Sequence, residues 1–160
     1  YVMKKSIGLI LTLVFMIVIQ GYAQDGKTNI VETNLGLTRI VEMTFDEALA
    51  KVKSELKKEG FGILTEVDVK ATMKKKLDID YKPYHILGAC NPSLAHKSLQ
   101  AEEQIGLMLP CKLIVYVNDK DQTVVAAVDP VRMMQGVENE DLSKVAKIVQ
   151  EKFKKVLTAL

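Results

Sequence analysis

Apolar residues recur along this chain with two different periods, and the places where one period gives way to the other mark its elements. From Thr44 onward, Phe45, Ala48, Leu49, Val52 and Leu56 fall on one face at helical spacing. Thr44 with Glu47 three residues later forms a capping box, and Gly60 supplies a stop, so residues 44–60 predict an amphipathic helix. The segment FGILTEVDV (61–69) then alternates, with Phe61, Ile63, Val67 and Val69 on one side and Glu66 and Asp68 on the other, which predicts a half-buried strand. An earlier strand is expected in LGLTRIVEM (35–43), and a short helical turn before Pro83.

YHILGAC (84–90) reads as a strand buried on most of both faces. It places Tyr84, Ile86, Gly88 and Cys90 on one side and His85, Leu87 and Ala89 on the other. Asn91-Pro92 joins a favoured N-cap to a favoured first helical residue, so a helix is expected from Pro92 to about Ala101 with Leu94, Ala95 and Leu99 inward. CKLIVYV (111–117) and TVVAAV (123–128) are apolar strands joined by the polar turn NDKDQ. Asp129-Pro130 repeats the cap-plus-proline device ahead of a short turn around Met133 and Met134. The chain finishes in an amphipathic helix with Leu142, Val145, Ala146, Val149, Phe153, Val156 and Leu160 in one stripe.

The resulting order is β-α-β-β-(short α)-β-β-α. Neighbouring strands without long crossovers favour antiparallel pairing, so the expected class is α+β in two layers, a mainly antiparallel sheet covered by helices on one face.

The first residues change where such a domain would work. Met3-Lys4-Lys5 is a basic start, Ile7 to Ile19 is an apolar run of thirteen residues, and Gly21-Tyr22-Ala23 has the small-residue form of a cleavage site. At ~1.5 Å per residue the apolar run reaches only ~20 Å, short of a ~30 Å hydrocarbon core. Residues 1–23 are therefore read as a signal peptide cut before Gln24, with Tyr1 and Val2 ahead of the expected start. Residues 24–34 are read as a flexible linker and residues 35–160 as a single domain. The expected location is the bacterial periplasm or outside the cell, with no membrane attachment after cleavage. Charge follows the same division. The chain carries 22 Lys+Arg against 20 Asp+Glu, and losing Lys4 and Lys5 with the leader leaves the two signs equal. Nucleic-acid binding needs a clustered positive excess, and Lys74-Lys75-Lys76 reads as a solvated helix face, so no nucleic-acid partner is expected.

Candidate chemistry gathers between His85 and Cys111. His85, Cys90, His96 and Cys111 match no common zinc spacing, and His85 points away from Cys90 on its strand, so no metal site is expected and no cofactor is implied. Cys90 and Cys111 can form a disulfide, which for a loop of about twenty residues stabilises by ~3 kcal/mol in chain-entropy terms. They can equally be packed as small apolar residues. A third reading is a reactive thiol at Cys90, since a helix N-terminus favours a thiolate, with His96 or Lys112 adding to it. Met108, Met133 and Met134 can line an adaptable apolar pocket or fill a core. No Ser-His-Asp set, phosphate-binding glycine loop or paired-carboxylate site is present in the sequence, and no catalytic residue is assigned.

The segments FDEALAKVKSELKKEGFGILTEVDVKATMKKKL and ILGACNPSLAHKSLQAEEQIGLMLPCKLIVY, with Cys90-Asn91-Pro92, Ala95-His96, Ile105-Gly106, Leu109-Pro110-Cys111 and Asp129-Pro130 as their most specific pieces, resemble the family called domain of unknown function 302. The resemblance covers roughly residues 44–130. It implies a β-α-β4-α fold like that of the TATA-binding protein, and a homodimer. It implies no reaction and no catalytic set, and likeness to the fold of a DNA-binding protein does not carry DNA binding with it. The expected function is that of a homodimeric binding or interaction module for a small apolar ligand or an envelope protein, more in keeping with a non-enzyme. Its apolar pocket would lie near residues 90–111, with Cys90, Asn91, His96 and Cys111 as candidate site residues. The alternative is a thiol-dependent redox protein using Cys90 and Cys111.

Overall fold

A computed structural model describes residues 29–160. The expected signal peptide, and residues 24–28 of the linker, lie outside the described residues. Among the described residues no helix is long and apolar enough to cross a membrane.

The elements run β1 (Val31–Glu32), β2 (Gly36–Val41), α1 (Phe45–Lys58), β3 (Gly62–Asp68), α2 (Val69–Leu77), β4 (Tyr84–Cys90), α3 (Pro92–Ala101), a 3-10 turn (Glu103–Met108), β5 (Cys111–Val117), β6 (Thr123–Val128), α4 (Pro130–Met133) and α5 (Glu140–Thr158). The strands form one six-stranded sheet in the order β1-β2-β6-β5-β4-β3, every neighbouring pair antiparallel. Setting aside the short pieces β1, α2, α3, the 3-10 turn and α4, the long elements follow β-α-β4-α. The protein is α+β with two layers.

The local rules read from the sequence set the helix starts. Thr44 accepts from the Glu47 amide at 3.3 Å while the Glu47 carboxylate accepts from the Thr44 amide at 2.9 Å, closing the capping box on α1. These hydrogen bonds from Thr44 hold the Glu47 carboxyl below its ordinary value. Asn139 caps α5 through the amides of Asp141 and Leu142, both at 3.1 Å. α1 and α5 then lay their apolar stripes on one face of the sheet. Leu37, Leu87, Leu113, Val115 and Val125 from the strands meet Val52, Leu56, Phe153 and Leu157 from the helices, all fully buried. Phe153 stacks at a tilt on Phe61, with ring centroids 5.1 Å apart.

The structure departs from the sequence expectations in four places. Val31–Glu32, placed in the linker, adds a short edge strand to β2, with Val31 opposite Thr38 and Glu32 opposite Leu37. The residues after Asp68 form a two-turn helix, capped at its start by the Asp68 carboxylate and stopped by Asp78 in the left-handed region at φ 54°. On α3, Leu99 is exposed and Ser98 is the buried residue, because Ser98 satisfies its hydroxyl on the Leu94 carbonyl at 3.0 Å.

The fourth departure matters most for the chemistry. A bulge between Ile63 and Thr65 shifts the register of β3 on β4, so Ile63 lies opposite Ala89 while Glu66 lies opposite Leu87 and Asp68 opposite His85. Val67, expected on the same side as Ile63, therefore faces away from the helices and is 43% exposed. Glu66 and Asp68 are turned to the helix side.

Candidate functional site

At the end where β4 stops and β5 begins, the helices do not close fully on the sheet. Their gap is a pocket of ≈ 60 Å³, or ≈ 570 Å³ when all the space out to its open mouth is counted. It is a narrow cleft. Phe61, Ala89 and Val149 line its sheet and α5 side, Leu94 and Ala95 come from α3, and Met133 and Met134 come from α4 and its C-cap.

The sequence builds these walls locally. Asn91 leaves β4 in an extended conformation and its side chain accepts from the Leu94 amide at 3.2 Å, so Pro92 can begin α3 at once. Asp129, 3% exposed, caps α4 through the Val131 amide at 3.0 Å and also accepts from the Gln150 side-chain amide at 2.8 Å, tying α4 to α5. Asn139 donates to the Ala101 carbonyl at 3.1 Å and fastens the start of α5 to the end of α3. Gly88, one step before the pocket, admits no side chain: an added Cβ would lie 2.2 Å from the Thr65 hydroxyl and 2.7 Å from the Pro110 ring.

Of the candidate residues, Cys90, Asn91 and Cys111 line the pocket, and Met108, Met133 and Met134 join them. His96 does not. It stands exposed on the outer side of α3, away from the pocket wall, so its helical turn from Cys90 does not bring the two together.

Both cysteines are free thiols, each half-buried. Cys111 lies opposite Ala89 and Cys90 lies opposite Gly62, so the two are one position out of register on adjacent strands. Burial pushes the Cys111 thiol up to about 11, and the neighbouring Cys90 adds to that rise, overriding the opposing pull of Lys112.

His85 occupies the opposite end of β4. Its Nδ1 is 2.9 Å from a Glu66 oxygen and its Nε2 is 3.5 Å from an Asp68 oxygen, while Phe45 of α1 meets the ring edge-on at 5.4 Å. Lys53 of α1 completes the group at 2.7 Å from Glu66. Lys53 first, with His85 as a lesser partner, holds the Glu66 carboxyl below its ordinary value. The sequence reading missed this cluster because alternation alone put Glu66 and Asp68 on the other face. An exposed polar pair in an otherwise apolar strand was the only available signal.

The profile of the family described as "Domain of unknown function DUF302" matches residues 37–160. The chain belongs to this family. A solved structure similar to it is the "Crystal structure of uncharacterized conserved protein DUF302 from Bacillus stearothermophilus", 28% identical with a TM-score of 0.71, covering 76% of this chain and 94% of that chain. No curated protein matches the chain.

For this DUF302 domain the chemistry therefore has to be read from the pocket itself. Its polar side chains other than the thiols are Asn91 and Ser98, both engaged in fixing α3. No carboxylate or imidazole lines it, so it holds no general acid–base pair. Among the described residues no three or more His, Cys, Asp or Glu side chains group as ligands for a metal ion. The arrangement can desolvate an apolar group, or use sulfur.

Proposed function

We propose that the protein is a homodimeric binding module of the bacterial envelope, periplasmic or secreted, which takes a slim apolar group from a small molecule or an envelope protein. The observation that carries this reading is the pocket itself: a preformed concave apolar site with few polar groups is the common form of a ligand site. Its narrow free space favours an acyl chain or a single small ring over a bulky polycyclic ligand. The flexible methionine side chains of its wall suit ligands of varied shape.

The helix-free face of the sheet supports self-association. The register turns Ile40, Val67, Ile86, Ile114, Tyr84 and Tyr116 toward it, and Tyr84 stacks on Tyr116 at 5.3 Å. Lys112 is the one charged strand side chain placed there among the described residues, so two copies could meet face to face with little like-charge repulsion. Equal numbers of acidic and basic residues after leader removal give no drive toward nucleic acid. No cofactor is invoked.

Binding of an environment-sensitive apolar dye to the full chain, competed by short-chain fatty acids, tests the pocket. Ala95→Trp is expected to abolish dye binding while circular dichroism stays unchanged; undiminished binding in that variant would sink the reading. Sedimentation of the Ile40→Lys/Ile114→Lys double variant tests the dimer, with a monomer expected. Cell fractionation and the N-terminal residue of the exported form test the location.

A second reading is favoured by one observation, that Cys90 and Cys111 are both free and stand on adjacent strands beside the pocket. In it, Cys90 and Cys111 cycle between dithiol and disulfide with an envelope partner. Cys90→Ser separates the two: apolar binding survives under the first reading, and thiol exchange disappears under the second.

A further inference from the structure

The apolar pocket has one strong hydrogen-bond donor that the fold leaves unspent. Asn91 lines the pocket at half burial, and its side-chain oxygen accepts from the Leu94 amide at 3.2 Å. A carboxamide carries its oxygen at one corner and its NH2 at the other, so the cap on α3 also fixes the nitrogen. Among the described residues none accepts from Asn91 Nδ2. Gly60, at φ +84°, stands beside it: a Cβ added there would lie 3.0 Å from Nδ2, so the glycine leaves that side of the amide clear. The rest of the wall offers nothing equivalent. Ser98 spends its hydroxyl hydrogen on the Leu94 carbonyl at 3.0 Å, and the thiols are weak donors. No Lys, Arg or His lines the pocket.

We propose that Asn91 reads the polar end of the ligand, and that the site takes a short neutral acyl compound, a ketone, aldehyde or ester. Its carbonyl oxygen accepts from Asn91 Nδ2 while its chain fills the apolar space against Met133 and Met134. This rests on the apolar-ligand reading and narrows it to one chemical class. A carbonyl is an acceptor only, so it takes up the spare N–H2 and asks no further partner of an otherwise apolar wall. An ionised carboxylate fits less well, because it would leave water with no cation on the wall to meet it. The donor is also held in advance. Turning the carboxamide away would release the Leu94 amide and uncap α3, so little freedom is lost when a ligand arrives.

The test measures, on the full chain, how well 2-hexanone and hexane displace the apolar dye. Asn91→Asp keeps a favoured N-cap and removes both N–H donors. The ratio of ketone to alkane affinity is expected to fall roughly three- to tenfold in that variant, the loss of one neutral hydrogen bond. Taking the ratio cancels whatever the substitution does to the apolar wall as a whole. The wild-type chain supplies a second measurement should the variant misfold: the Asn91 side-chain NH2 signals in the two-dimensional NMR spectrum are expected to shift with 2-hexanone beyond any change seen with hexane. Hexanoate at neutral pH is expected to compete more weakly than 2-hexanone. An unchanged ratio in Asn91→Asp, Asn91 signals that respond alike to ketone and alkane, or hexanoate outcompeting the ketone would each overturn this inference. The apolar-ligand reading survives those results as long as Ala95→Trp abolishes dye binding; dye retained in Ala95→Trp would sink both.

Discussion

The two ends of β4 belong to the same strand and the same layer, yet they sit in opposite environments. At Cys90 the strand opens into an apolar cleft, and at His85 it is held between Glu66 and Asp68 with Lys53 close by. The helices make the difference. α3, α4 and α5 crowd the Cys90 end and exclude water, so burial sets the state of Cys111. At the His85 end Phe45 and Lys53 of α1 flank the group, and Glu66 keeps 36% of its side chain in water. What this teaches is that one strand can serve as a dry wall and as a charged edge, provided that the covering layer ends part-way along it.

The comparison can be broken most forcefully from beneath the dry end. Phe153→Ala removes a fully buried ring that packs on Phe61 of the pocket wall, and is expected to cost about 3–5 kcal/mol in denaturant unfolding. A loss below about 1 kcal/mol would mean that this end is not packed as described.

Alkaline titration gives the next largest effect. Cys111 holds its proton to about pH 11 in the folded protein, whereas an unfolded cysteine loses it near pH 8.5. The folded state thus binds more protons between those values, and stability, complete below about pH 8.5, falls as pH rises toward 11. Cys111→Ala should lack that part of the fall, roughly 2–3 kcal/mol across the window. Identical alkaline slopes for the two proteins would show the thiol to be solvated.

Between the ends, Gly88→Ala should cost about 1–3 kcal/mol through overpacking, as the new methyl meets Thr65 and Pro110. Thermal melting reads this directly, and a neutral result would require β3 to shift at its bulge.

The smallest effect belongs to the wet end. The folded Glu66 carboxyl lies below its ordinary value, so its contribution is present above the unfolded value near pH 4.3 and is lost as pH falls through the depressed one. Glu66→Gln should flatten that acid limb by less than about 1 kcal/mol, because the pair with Lys53 is partly exposed. A loss as large as that of Cys111 would erase the contrast between the two ends.

Much of this architecture was legible because local rules and global packing agree. The Thr44–Glu47 box, Asn91-Pro92 and Asp129-Pro130 each start a helix where the sequence reading placed it, since a cap needs only its own next three residues. Ser98 and Leu99 show where that ends. Both suit one helix, and only the wall behind α3 decides which turns inward. The bulge in β3 left no periodic trace either, as it depends on the fit of β3 to β4.

The sequence by itself determined the order of the long elements, the family and the α+β class, all of which follow from short-range periodicity, caps and motif. Only the tertiary structure decided that Cys111 is desolvated, that three methionines join the thiols, that His96 stands apart, and that Glu66 and Asp68 turn toward His85. Those outcomes depend on which surfaces meet across distant parts of the chain, and burial, register and electrostatic environment exist only after that meeting.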